Sequence, residues 1–188
     1  MAMFKRKKER EELINKMDMM IAVLSRQSRF LKEQYDICYR QAERLAREGI
    51  KEASKKWLAI ALVCRKMRSN VESQIADLFA SRIQVEVTPP EGMDSVVARV
   101  NELLVKAEKT REVTERAMGQ LADITRLRLE APSGTEYYGV SAEELEREFE
   151  EMQMKIGLEA AEELPEVPGR TTRAREARKL AESEEAES

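Results

Sequence analysis

Between Glu9 and Leu45, apolar or small residues fall at Leu13, Met17, Met20, Leu24, Leu31, Tyr35, Cys38, Ala42 and Leu45. The steps alternate between three and four, or skip one turn. Such spacing puts every one of these side chains on a single stripe of a helix, the seam that a partner helix covers. A second stripe follows at Trp57, Ile60, Cys64, Met67, Val71, Ile75 and Leu78. Between them, Glu48-Gly49 offers a turn, because glycine adopts the left-handed conformation that ends a helix. Two arms of matched length, each roughly 60 Å at about 1.5 Å per residue, predict a long antiparallel helical hairpin over residues 9–87.

Pro89-Pro90 stops the second arm, since neither ring can donate a backbone hydrogen bond. A third helix is expected from about Met93 to Leu129. Its stripe runs Met93, Val96, Val100, Leu103, Ala107, Ala117, Leu121 and Ile124, with a bend or break expected where Thr110 to Thr114 interrupt it. Residues 131–140, with Pro132, Gly134 and Gly139, read as a linker. Ser141-Ala-Glu-Glu144 is a capping box. It opens a short acidic helix over 141–157 with Leu145, Phe149, Met152 and Ile156 on one side, closed by Gly157. Residues 158–188 are polar and read as a flexible tail. The fold class expected is all-α: hairpin, further helices, an acidic C-terminal helix and a tail.

Charge alters this picture. Residues 1–70 carry 18 Lys and Arg against 9 Asp and Glu, whereas residues 71–188 carry 15 against 27. A basic first half can attract an anionic surface, and the acidic second half can compete with that surface within the chain. The first eight residues concentrate the contrast. Met1, Met3 and Phe4 precede Lys5, Arg6, Lys7 and Lys8. They are either a solvated start or a membrane-contacting end, in which the apolar residues enter the interface and the cations engage lipid headgroups, helped by Lys16 farther along. Each cation near an anionic leaflet contributes about 1 kcal/mol, and an apolar foot with basic residues supplies the two signals that reversible attachment needs.

Candidate chemistry is sparse. With no histidine and two cysteines, the chain offers no usual zinc ligand set, and no cofactor is expected. Cys38 and Cys64 read as small buried hydrophobes. There is no glycine-rich phosphate loop and no nucleophile motif, so an enzyme is not expected. No run approaches the ~20 apolar residues of a membrane span, and the start lacks a signal-peptide core. The expected location is the cytoplasm, peripheral on membranes. In the tail, Glu163-Leu-Pro-Glu-Val-Pro168 has prolines three apart, favouring an extended backbone that presents Leu164 and Val167. It is either a rigid spacer or a docking motif.

Several of these stretches together resemble the ESCRT-III family, the charged multivesicular body proteins and their archaeal cell-division relatives. Gln41 to Lys56 is similar to the family's basic hairpin turn. Ala80-Ser-Arg-Ile-Gln84 resembles the end of its second helix. Glu151-Met-Gln-Met-Lys-Ile-Gly-Leu158 resembles its acidic helix, and Leu164, Pro165, Val167 and Pro168 match the motif that binds the MIT domain of a disassembling AAA ATPase. Pro89-Pro90 departs from the pattern, and Arg173 to Leu180 lacks the leucine-rich terminal motif. The resemblance implies a core over 9–130 and a regulatory helix whose Leu145, Phe149, Met152 and Ile156 serve autoinhibition and polymer contacts. It implies a coiled-coil homopolymer, built also with related subunits, that remodels and severs anionic membranes in cell division, vesicle budding and protein transport. The other reading of the basic half, a helical coiled coil that binds nucleic acid, lacks interleaved aromatics and any recognised motif.

Overall fold

A computed structural model describes residues 2–127 and 140–162, with side chains over 7–89, 91–124 and 140–161. The described residues build an all-α protein: α1 (Ala2–Arg47), α2 (Lys51–Val87), a 3-10 turn at Pro90–Gly92, α3 (Met93–Leu127) and α4 (Ala142–Glu162). The chain divides into two units, Met1–Glu150 and Glu151–Ser188. The first holds α1 to α3 and the opening turns of α4; the second holds the rest of α4.

In the first unit α1 and α2 run antiparallel side by side. Ser54 donates to the Ala42 carbonyl at 2.7 Å, Ser28 donates to Glu72 at 3.1 Å, and Arg10 donates to the Thr88 carbonyl at 2.6 Å. Arg82 lies 2.8 Å from Asp18. As the α2 partner advances, its α1 partner retreats. The stripes meet as the periodicity requires: Met17, Leu24 and Leu31 are packed with Cys64, Val71 and Leu78 in one cluster. Helix α3 adds Met93, Val96, Val100, Ala107 and Leu121 to the same cluster.

The turn between α1 and α2 follows from one residue. Gly49 has φ of +79°, which lets its N–H reach the Ala46 carbonyl at 3.0 Å and the Ile50 N–H reach Leu45 at 2.8 Å. These two bonds form a Schellman motif and satisfy carbonyls that a helix end leaves open.

Helices α2 and α3 stay separate. The Thr88 backbone N–H and hydroxyl both donate to the Gln84 carbonyl, at 3.0 and 2.6 Å. The two prolines then follow, and the Ser95 hydroxyl donates to Gly92 at 3.0 Å to start α3.

Three helix bounds differ from the sequence reading. Helix α1 begins at Ala2, not near Glu9, because Lys5 to Glu12 are good helix formers and Lys7 and Lys8 lie near Glu11 and Glu12 one turn on. Helix α3 does not break at Thr110 to Thr114. Thr114 is buried, Thr110 donates back to the Lys106 carbonyl at 3.1 Å, and Gln27 of α1 donates to the Arg111 carbonyl at 3.0 Å. A polar contact fills the gap in the stripe. Helix α4 continues through Gly157 to Glu162. Glycine within a helix costs about 1 kcal/mol relative to alanine, and Leu158-Glu-Ala-Ala-Glu162 restores the tendency beyond it.

Candidate interaction surface

The opening of α4 is fixed by Ser141. Its hydroxyl accepts the Glu144 N–H at 3.1 Å, and the Glu144 carboxylate accepts from the Ser141 backbone. This is the reciprocal capping box. From that start, Leu145 and Phe149 point inward and are buried. At 100° per residue, Glu144 and Glu148 border this apolar stripe on one side and Glu146 on the other.

All three carboxylates meet cations of α2. Lys66 lies 2.6 Å from Glu144, and Lys55 lies 2.6 Å from Glu146. Arg65 holds Glu148 with both terminal nitrogens, at 3.2 and 2.6 Å. The ammonium of Lys55 also sits 5.1 Å over the Phe149 ring, a cation–π contact. Glu148 is 16% exposed against 52% for Glu146, whereas Arg65 is 45% exposed against 25% for Lys55, so each pair is open to solvent on one side. Pairs open to solvent contribute about 0.2–1 kcal/mol each, whereas burying a Leu or Phe contributes about 1.5–3 kcal/mol. The apolar stripe therefore supplies most of the attachment of this segment, and the charges fix its position.

The surroundings shift several groups. The Lys66 hydrogen bond, against a smaller desolvation cost, holds Glu144 below its usual value. The hydrogen bond from Arg65 to Glu148 raises the guanidinium. Burial raises Tyr35, which stacks on Tyr39 with ring centres 5.6 Å apart. Burial also pushes the Cys38 and Cys64 thiols up to about 12, each thiol being free and fully buried.

The remaining expected residues are distributed as follows. Met3 to Arg6 lie in the first turns of α1, and Met1 falls outside the described residues. Lys7, Lys8 and Lys16 are exposed. Lys7 and Lys8 sit 4.0 and 3.8 Å from Glu11 and Glu12. Met152 is buried and Ile156 half-buried, in the second unit. Leu164, Pro165, Val167 and Pro168 lie outside the described residues. Away from α4, Lys16, Arg26, Lys32, Lys51 and Lys56 make no ion pair among the described residues.

Sequence reasoning identified the excess of cations over residues 1–70 and the apolar stripe of α4 but not the pairing of Glu144, Glu146 and Glu148 with particular residues of α2. The signal was their position as acidic borders of the Leu145–Phe149 stripe. Among the described residues, no helix is long and apolar enough to cross a membrane, and no cluster of three or more potential metal ligands occurs. Compared with known proteins, the chain matches no family model, no curated protein and no solved structure.

Proposed function

We propose that this chain is an ESCRT-III-type subunit: a basic helical hairpin of α1 and α2 that assembles into filaments on anionic membrane and is restrained by its own acidic helix. The observation that carries the reading is the engagement of Lys55, Arg65 and Lys66 by Glu146, Glu148 and Glu144. Carboxylates of the acidic part occupy cations of the basic part, while other cations of α1 and α2 stay unpaired. An anionic surface with a higher density of charge competes for the same groups. In this reading Met1, Met3 and Phe4 with Lys5 to Lys8 and Lys16 make the first membrane contact. Leu145, Phe149, Met152 and Ile156 pass from restraint to a neighbouring subunit, and Leu164, Pro165, Val167 and Pro168 offer the tail to an MIT-domain ATPase. The protein then acts as a structural polymer at membrane necks rather than as an enzyme.

The test is co-sedimentation with vesicles of phosphatidylserine and phosphatidylcholine against pure phosphatidylcholine, at rising salt, with duplex DNA as competitor. Salt-sensitive pelleting with the anionic vesicles alone is expected. Equal pelleting with both, or none with either, overturns the membrane reading. Full displacement of the protein from vesicles by an equal charge of DNA favours the nucleic-acid reading instead.

A further inference from the structure

The last third of α2 carries a second apolar face. Leu78 and Val85 are buried toward α1 and α3, but Phe79, Ile83 and Val87 are 49%, 58% and 73% exposed. Steps of four put the three on one line along the helix, joined by exposed Ala76 and Ala80. The patch is on the order of 300 Å², a size at which the main apolar patch of a monomer is often functional. Its line continues toward the α1–α2 turn. Arg65 and Ile83 are 18 residues apart, five full turns at about 3.6 residues each, so both leave α2 in the same direction. Helix α4 covers that line at Arg65, through Glu148, and the line is bare from Phe79 onward.

Charge is spread unevenly along the same helix pair. The turn end, residues 26–68, holds 12 cations against 5 carboxylates. The stripe end, residues 1–25 and 69–92, is balanced, with 7 against 8. Its cations include Lys5 to Lys8, in the first turns of α1, which the bond from Arg10 to the Thr88 carbonyl sets beside the end of α2. The carboxylates nearest the stripe, Glu72 and Glu86, already face Arg68 and Arg82 at 2.8 and 3.2 Å. An occupant of this side of α2 therefore meets excess positive charge around Arg65 and, about 27 Å farther along a straight helix, three bare apolar side chains. Duplex nucleic acid answers the first and offers nothing to the second. A bilayer answers both, with anionic headgroups above an acyl region that takes apolar side chains.

We infer that Phe79, Ile83 and Val87 enter the acyl boundary of an anionic bilayer, so that the last third of α2 lies in the lipid interface rather than above it. The inference rests on the membrane reading above and adds a second apolar contact to the one assigned there to Met1, Met3 and Phe4. A foot at the tip alone leaves the helix pair free to swing about that tip. A stripe along α2 lays it flat and selects the side that meets lipid, which is the side that α4 covers at Arg65. Charge then holds the turn end, and insertion holds the balanced end.

The experiment places a polarity-sensitive fluorophore on the full chain through Ile83→Cys, with Val113→Cys, at an exposed valine of α3, as the reference position. Cys38 and Cys64 are buried, so the added thiol is the one labelled in the native fold. On vesicles of phosphatidylserine and phosphatidylcholine, the fluorophore at 83 should shift to the blue and be quenched by lipids spin-labelled in the acyl chain, while the one at 113 stays in water. Unlabelled Ile83→Gln with Val87→Gln should bind these vesicles about tenfold more weakly, with an unchanged dependence on salt, since no charge is removed. Circular dichroism checks folding, and Phe79→Gln replaces the pair should it lose helix. A fluorophore at 83 that stays in water on vesicles that do pellet the protein, an equal shift at both positions, or glutamine variants that bind as wild type overturns the inference. So does a shift at 83 that grows with protein concentration without lipid, which marks a second copy on the stripe, or one that duplex DNA alone produces. The two claims fail differently: pelleting with position 83 in water ends this inference and leaves the membrane reading standing, whereas no pelleting with any vesicle ends both.

Discussion

Arg65 of α2 grips Glu148 of α4 across 83 residues of chain, its two terminal nitrogens 3.2 and 2.6 Å from the two carboxylate oxygens. A planar guanidinium facing both oxygens fixes orientation as well as distance. The fork therefore determines which turn of α4 lies over which turn of α2.

Attachment and alignment should separate on mutation. Phe149→Asp removes the buried ring and places a charge in its site, so amide exchange over 145–150 should accelerate at least tenfold. Glu148→Gln removes only the charge of the fork and should give a two- to threefold effect that high salt erases. Exchange measured by mass spectrometry on the full chain distinguishes the two. Equal effects would mean that charge, not the apolar stripe, holds the segment.

Acid should loosen the same segment. Glu144 has a depressed value in the folded protein, so its stabilising contribution is present above the unfolded carboxylate value of 4.5 and is lost as pH falls through the lower folded one. Exchange over 142–150 should rise as pH drops below about 4.5, after correction for intrinsic rates. Glu144→Gln should flatten that rise.

At the α1–α2 turn, Gly49→Ala meets no steric obstacle, since nothing lies within 4 Å of the added carbon. The cost is conformational, because φ is +79°. The expected loss is about 1 kcal/mol, a drop in Tm of about 2–4 °C for a chain of this size. A differential scan of the two proteins checks it.

The buried thiols make an alkaline prediction. Cys38 and Cys64 are raised from 9.0 to about 12 by burial, so the native fold loses their contribution as pH climbs from about 9 toward 12. Native protein at pH 8 should resist alkylation, because the thiolate is the reactive form, and react fully once unfolded. A Cys38→Ala/Cys64→Ala variant should show a shallower alkaline decline in denaturation midpoint.

Much of this architecture was legible because helical periodicity is a local signal. The seams at Met17–Leu24–Leu31 and Cys64–Val71–Leu78 could be read directly, as could the stops at Gly49 and Pro89-Pro90. What could not be read were contacts set by tertiary partners. Thr110 to Thr114 look like a break until Gln27 arrives from another helix, 84 residues away, to satisfy the Arg111 carbonyl. Gly157 looks like an end, but the helix formers beyond it outweigh one glycine. The partners of Glu144, Glu146 and Glu148 depended on where α4 lies along α2, which no periodicity encodes. The exposed face at Phe79, Ile83 and Val87 was hidden for a related reason: an apolar residue in a sequence does not announce which of two faces it joins.

The Gln27 contact has a mechanical consequence. Its amide nitrogen is spent on the Arg111 carbonyl, while its buried oxygen has no partner. Sliding α3 by one turn would strand the nitrogen as well, and a lost buried bond costs about 1–3 kcal/mol. The contact works as a detent that holds α3 at one register on α1.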